Sequence, residues 1–96
     1  MFKVGIIFPY TITGKRVHKL LDPVIVGKVI KQYREEKGIP QETLSGLAGI
    51  GRTHLSAIER GVRRPTLDTF FRIAEALRVT PSSLLSEIEE RIEETK

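Results

Sequence analysis

Two short apolar patterns, separated by a pair of glycines, lie in the middle of the chain and limit its possible folds more than any other feature. The first falls within residues 41–48 and the second within residues 52–59, with Gly49-Ile50-Gly51 between them. Each covers only about two helical turns, so neither segment can form a stable helix alone in water. The sequence therefore predicts two short helices, joined by a tight turn, that share one core. The apolar residues are Leu44, Leu47 and Ala48 in the first pattern, and Leu55 and Ile58 in the second.

Capping signals place one helix before this pair and two helices after it. Asp22, followed by proline, combines a side-chain N-cap with a residue suited to the first helical position, and Lys37-Gly38 supplies the end of that helix. Thr66 precedes a further apolar pattern at helical spacing, and Thr80, also followed by proline, precedes another. We therefore expect an all-α fold class with five helices.

Residues 2–13 follow a different pattern, because their apolar side chains fall on alternate positions. A period of two is typical of a strand with one apolar face. Pro9 cannot donate a ladder hydrogen bond, which limits such a strand to an edge, a bulge or two short pieces. Its partner would be a hairpin half, another part of the chain or a second subunit; a leader without fixed structure is the alternative. We divide the chain into an N-terminal extension at 1–21, a possible strand or hairpin, and a domain at 22–96.

Composition favours one small domain with a polyanionic partner. The chain has 96 residues, a net charge of +4 and no cysteine, which excludes disulfides and cysteine-based zinc sites and suits a cytoplasmic location. Residues 1–65 are net basic and residues 66–96 are net acidic, so one face is expected to meet nucleic acid or a membrane surface. No stretch approaches the roughly 18 apolar residues of a membrane span. His18 has no partner at ligand spacing, and no metal or cofactor is expected.

Four segments occur together in an order and spacing that are specific in combination. They are YREEKG, IPQETLSGLAGI, LSAIERG and RRPTLDTFFRIAEALRVTPSSLL. Between residues 30 and 85 the chain thereby resembles the Cro/phage-repressor (Xre) family of helix-turn-helix DNA-binding domains, in which two short helices are joined by a tight turn. The resemblance implies a five-helix, lambda-repressor-like DNA-binding domain. The strand-like extension lies outside the family pattern.

The resemblance implies that the second short helix starts at about Arg52 and enters the major groove of DNA. Arg52, Thr53, Ser56 and Ala57 then occupy positions that face base edges. Arg52 is the strongest candidate for base recognition, because its guanidinium can bind guanine O6 and N7 together. Ser56 and Ala57 have short side chains, so sequence preference would also depend on DNA shape.

Other matched positions are assigned to the DNA backbone or to the fold. Arg34 and Glu59 match a family pair that joins the first helix to the recognition helix, which predicts a partly buried ion pair. Gly49 matches the turn position that requires positive φ. Phosphate contacts would add affinity without sequence preference. The residues matched to phosphate contacts are Gln41, His54, Arg63 and Arg64.

The last helix is expected to carry the dimer contact, since the region after the fourth helix commonly does so in the family. Phe71 lies beside the apolar pattern of its helix, where either the edge of the core or a subunit contact would explain it. A two-fold dimer predicts a palindromic operator with half-sites about 34 Å apart. The apolar residues of the last helix assigned to the dimer contact are Leu85, Ile88 and Ile92.

These features together predict a transcriptional regulator, a repressor or a controller, that binds double-stranded DNA sequence-specifically as a homodimer. One alternative is an antitoxin, which would bind a toxin protein as well as its own promoter. A second alternative is a protein-interaction module whose helix-turn-helix no longer binds DNA. No enzymatic activity is expected, because the sequence offers no nucleophile–base pair, metal-ligand set or phosphate-binding loop.

Overall fold

Five α-helices and no strand make up the part of the chain that the structure, a computed structural model, describes, namely residues 21–94. The all-α prediction is confirmed for these residues, whereas the predicted strand at residues 2–13 lies outside them. The helices are α1 (Pro23–Glu36), α2 (Gln41–Ala48), α3 (Arg52–Glu59), α4 (Leu67–Ala76) and α5 (Pro81–Glu94).

The predicted capping residues begin three of these helices. The Asp22 carboxylate accepts a hydrogen bond from the Val24 amide at 2.9 Å, and the Thr66 hydroxyl accepts one from the Thr69 amide at 3.0 Å. Thr80 Oγ1 accepts in the same way from the Ser83 amide at 3.1 Å. Each such cap typically contributes about 1 kcal/mol to stability. α2 and α3 begin without a side-chain cap, at Pro40 and Gly51.

Side chains from all five helices form a single core. α1 packs against α3 and α5, α2 packs against α3 and α4, and α4 packs against α5. Burial of each large aliphatic side chain contributes about 1.5–3 kcal/mol. The two short helices, which cannot be stable alone, are therefore held by the other three. The buried apolar residues are Val26, Val29, Ile30, Leu44, Ala48, Leu55, Ile58, Phe70, Ile73, Ala74, Leu77, Leu84 and Ile88.

One apolar residue of the short helices does not belong to this core. Leu47 belongs to the first apolar pattern, but its side chain is 65% exposed. Leu44 and Ala48 are four residues apart and share one face of α2, which the buried Ser45 adjoins. Leu47 projects from the next face around the helix, outside the core.

α3 is held very close to α1. A Cβ added to Gly27 of α1 would lie 2.3 Å from the carbonyl oxygen of Ile58 and 2.6 Å from that of Glu59, so the two backbones touch at this point. The turn before α3 contains Gly49 with φ of 73°, which confirms the expected left-handed conformation. The close contact and the turn together fix the direction of α3.

Within residues 21–94, no helix combines the length and the apolar character needed to cross a membrane.

Candidate nucleic-acid interface

One face of α3 points away from the core and carries all four predicted base-contact residues. Leu55, Ile58 and Glu59 are buried on the inner face. His54 lies at the boundary between the faces and is half-buried. The spacing of the outer residues, at i, i+1, i+4 and i+5, places them together on the helix surface. The outer residues are Arg52 and Thr53, which are exposed, and Ser56 and Ala57, which are half-buried.

A buried ion pair holds the end of α3 against α1. Arg34 Nε donates to Glu59 Oε2 at 2.7 Å, and Arg34 Nη2 donates to Glu59 Oε1 at 3.0 Å, so the pair is bidentate. The whole residues are only 9% and 5% exposed. The hydrogen bond with Glu59 is the main cause that raises the pKa of Arg34 above its ordinary value, although burial opposes it. The structure thus brings together the two residues matched to the family pair.

The same guanidinium also fixes the chain between α1 and α2. Arg34 Nη1 donates to the carbonyl oxygen of Ile39 at 2.9 Å, in the segment that joins these helices. Three N–H groups of Arg34, one on each of its side-chain nitrogens, therefore have acceptors within the fold. A buried polar pair stabilises a fold only when its hydrogen-bonding groups are satisfied in this way.

Gln41, matched to a phosphate contact, lies at the first residue of α2 and joins the ion pair. Its Nε2 atom donates to Glu59 Oε1 at 2.9 Å. A primary amide carries two N–H donors, so one donor of Gln41 remains for an oxygen outside the fold. This bond links the start of α2 to the end of α3. This bond was not predictable from the sequence, because 18 residues separate the partners and no local pattern relates them.

The end of α3 and the loop that follows it carry three cations. Arg60, Arg63 and Arg64 are all exposed. Arg64 Nη1 donates to the carbonyl oxygen of Leu21 at 3.0 Å, immediately before α1. Arg63 and Arg64, the residues assigned to phosphate contacts, lie in the loop that follows α3. Arg60, the C-cap residue of α3, extends this basic surface and was not singled out from the sequence.

The residues assigned to the dimer contact are not equally available. Leu85 is 44% exposed on α5, whereas Ile88 is only 1% exposed and belongs to the core. The assignment of Ile88 to a subunit contact is therefore corrected, because its side chain already packs inside its own subunit. Ile92 is half-buried and packs against the core. Phe71 on α4 is 52% exposed, so it is not a core residue.

The fold and this surface define a class of protein: an all-α helix-turn-helix domain that presents its second short helix outward. A helix-turn-helix family model matches residues 30–84, which is more than half of the chain. The chain belongs to the Cro/phage-repressor (Xre) family of helix-turn-helix transcriptional regulators.

The chain is similar to known regulators and controller proteins in both sequence and structure. The chain is 36% identical over 66 residues to the uncharacterized HTH-type transcriptional regulator y4dJ of Sinorhizobium fredii, which covers 69% of this chain and 86% of that protein. It is similar to the restriction-modification controller protein C.AhdI of Aeromonas hydrophila, with 36% identity, a TM-score of 0.64, and 66% and 96% of the two chains covered. It also resembles the controller protein C.Esp1396I, whose tetramer is known in complex with its natural 35 base-pair operator. That match has 33% identity, a TM-score of 0.68, and 73% and 92% coverage.

Proposed function

We propose that this chain regulates transcription by binding an operator in double-stranded DNA, as a repressor or controller that acts as a homodimer. The observation that carries the proposal is the outer face of α3. It bears exposed Arg52 and Thr53, and exposed Arg63 and Arg64 follow directly in the next loop. Protein surfaces that combine a helix suited to the major groove with nearby arginines bind duplex DNA through bases and phosphates together. The family membership supports the same function.

Within this proposal, the residues of the DNA-binding surface divide into two roles. Arg52 binds guanine through a bidentate contact, and Thr53 bonds a base or touches a thymine methyl group. Ser56 and Ala57 let the helix approach the bases closely. The residues proposed for phosphate contacts are Gln41, His54, Arg63 and Arg64.

We further propose that the homodimer forms through the α4–α5 side of the domain. Leu85 and Phe71 are large apolar side chains that are about half exposed there. α5 packs against α1 and α4, so a contact through it leaves α3 accessible. The similar protein C.Esp1396I binds its operator as a tetramer, and a two-fold dimer is a unit from which such an assembly can be built.

The proposal assigns the chain no chemical reaction, in keeping with its family of DNA-binding regulators. It places the protein in the cytoplasm, where its DNA partner lies. It assigns no cofactor.

The deciding experiment is the selection of bound sequences from a random pool of duplex DNA. A palindromic consensus with half-sites about one helical turn apart is the expected result. Binding to random duplex at low salt should also fall steeply as salt rises, because phosphate contacts release counterions. If the protein elutes as a dimer and the selection enriches no sequence, the result would argue against sequence-specific regulation. Absence of any binding at low salt would favour a protein-interaction module instead.

A further inference from the structure

Large apolar side chains are exposed on both α4 and α5, which pack against each other. Leu67 and Phe71 lie one helical turn apart on α4 and are 71% and 52% exposed, and Leu85 on α5 is 44% exposed. Exposed apolar side chains that lie together on a small domain mark a contact with another protein. In the proposed homodimer this side meets its own copy, so every contact occurs twice about a two-fold axis.

Charged residues are distributed unevenly along α5 and the turn before it. The first turn of α5 contains no acidic residue, and exposed Arg78 lies three residues before the helix begins. The last two turns carry four exposed carboxylates, on Glu89, Glu90, Glu93 and Glu94. Within residues 21–94, neither Arg78 nor any of these glutamates forms an ion pair. The two ends of this region therefore carry opposite charges that their own subunit does not neutralise.

We propose that the two subunits of the dimer place their α5 helices antiparallel, so that Arg78 of each subunit pairs with Glu89 and Glu93 of the other. This inference rests on the proposed homodimer and adds its orientation and its charged contacts. A parallel arrangement would bring two acidic helix ends together, where like charges repel. An antiparallel arrangement brings each acidic end to the arginine that precedes the other helix.

The spacing along α5 suits this pairing. Glu89 and Glu93 lie about 6 Å and about 12 Å beyond Leu85, at 1.5 Å per residue. In the other direction, α5 begins about 6 Å before Leu85, and Arg78 lies three residues further back. With a two-fold axis near Leu85, the arginine of one subunit and the carboxylates of the other fall at similar distances from that axis. Glu89 also shares a helix face with Leu85, since the two are four residues apart.

The backbone of Arg78 suits glycine better than arginine. Its φ is 64°, in the left-handed region, directly after the C-cap of α4, where glycine most often ends a helix. An arginine at this place costs the subunit stability, and no ion pair within residues 21–94 offsets that cost. A contact across the dimer gives the side chain a role that the single subunit lacks.

The first test is a charge exchange, with the dimer dissociation constant measured by sedimentation equilibrium in the absence of DNA. Arg78→Glu should raise this constant by about tenfold or more, because symmetry makes the contacts of both subunits repulsive at once. Glu89→Lys/Glu93→Lys should also weaken the dimer, and lysines near the end of a helix keep it folded. The variant that combines all three substitutions restores attraction across the dimer and should return most of the lost affinity.

Controls separate these contacts from net charge and from misfolding. Lys28→Glu makes the same charge reversal at an exposed residue of α1 and should keep the dissociation constant of the wild type. Arg78→Gly removes the charge and relieves the left-handed backbone, so it should weaken the dimer while circular dichroism stays unchanged. Unchanged dissociation constants for Arg78→Glu and for the Glu89→Lys/Glu93→Lys variant would overturn the proposal. A combined variant weaker than either would do so as well, because Arg78 would then have another partner.

Cross-linking tests the orientation by itself. The chain contains no cysteine, so single cysteines can be introduced and joined by a short bismaleimide. A mixture of Arg78→Cys and Glu93→Cys proteins should give cross-linked dimers, whereas Glu93→Cys alone should not, because antiparallel helices hold their acidic ends apart. Cross-linking of Glu93→Cys to itself would show parallel helices and overturn the proposal.

Failure of this inference is distinguishable from failure of the proposed homodimer. Wild-type protein that stays monomeric at high concentration would refute the homodimer itself. A wild-type dimer whose dissociation constant is unchanged in the charge variants would refute only the antiparallel pairing.

Discussion

Glu59 accepts hydrogen bonds from Arg34 and Gln41 inside the domain, and its side chain is 2% exposed. A carboxylate in such a place is stable only while its partners are present. Removing one member of a buried ion pair costs more stability than replacing both members with apolar residues, because the remaining charge is left buried without a partner.

Arg34→Ala is therefore expected to destabilise the domain by about 3–5 kcal/mol, the range found when one partner of a buried pair is lost. Urea denaturation followed by circular dichroism measures the change. Arg72→Ala is the matched control, since Arg72 forms a 3.3 Å ion pair with Asp68 that is mostly exposed. The control should cost less than about 1 kcal/mol. Equal midpoints for Arg34→Ala and the wild type would contradict a structural role for the buried pair.

Arg52→Ala should weaken binding to the selected operator by about 1–3 kcal/mol and relax the preference at one base position. The reason is that a bidentate contact to guanine distinguishes that base from the other three. Selection from a randomised duplex pool, repeated with the variant, measures the preference position by position.

Arg63→Ala serves as the comparison for Arg52→Ala. As a proposed phosphate contact, it should weaken all sequences about equally and lower the salt slope by about 0.9. If Arg52→Ala behaved in the same uniform way, Arg52 would be a phosphate contact and not a base contact.

The contact between α1 and α3 depends on a single glycine. Gly27→Ala would place a Cβ 2.3 Å from the Ile58 carbonyl oxygen, and backbone atoms on both sides leave no flexible group to move aside. The two helices must separate, and we expect a loss of at least 1–3 kcal/mol in stability, as is typical of overpacking. DNA affinity of the folded fraction should also fall, because α3 would be reoriented.

Gly46→Ala is the control for this prediction. Gly46 lies within α2, and a Cβ there would meet nothing within 4 Å. Alanine has the higher helix propensity, so this variant should be more stable than the wild type by about 0.5–1 kcal/mol. Thermal denaturation of the pair would separate the steric effect from helix propensity. Similar melting temperatures for both variants would refute the close contact.

Local features of the sequence were sufficient to predict the helices. Asp22, Thr66 and Thr80 are capping residues whose partners lie two or three positions away, so a short window contains the whole interaction. The importance of Gly27 could not be predicted in this way, since a glycine inside a helix usually only weakens it. What makes Gly27 necessary is a carbonyl group 31 positions along the chain, at Ile58.

The candidate site likewise combines features that local sequence patterns predict with long-range contacts that they do not. The outer face of α3 follows from helical spacing once the core residues are known. The bonds from Gln41 to Glu59 and from Arg64 to Leu21 join residues 18 and 43 positions apart, and no periodicity relates such pairs. Ile88 was misplaced because an apolar residue near the edge of a helical pattern can face the core or the surface, and only the packing of neighbouring helices decides.

The dimer is predicted to form through the α4–α5 side of each subunit. Leu85→Asp should convert the dimer to a monomer, as measured by light scattering, because it would place a charge in a dehydrated apolar contact. Affinity for a palindromic operator should fall sharply, since two half-sites would no longer be bound by one linked unit. Leu47→Gln is the control, because Leu47 is 65% exposed on α2, and it should remain dimeric. A dimer that survives Leu85→Asp would place the subunit contact elsewhere.

The three hydrogen bonds at Glu59 should couple the proposed DNA binding to the stability of the whole domain. α1, the start of α2 and the end of α3 all meet at this carboxylate, so α3 cannot separate from the domain without breaking the bonds that hold the other two. Operator DNA that binds only the native form should then protect the entire domain from unfolding. At a free DNA concentration one hundred times Kd, that protection amounts to about 2.7 kcal/mol. Thermal stability in the presence of different duplexes would thus report sequence preference directly.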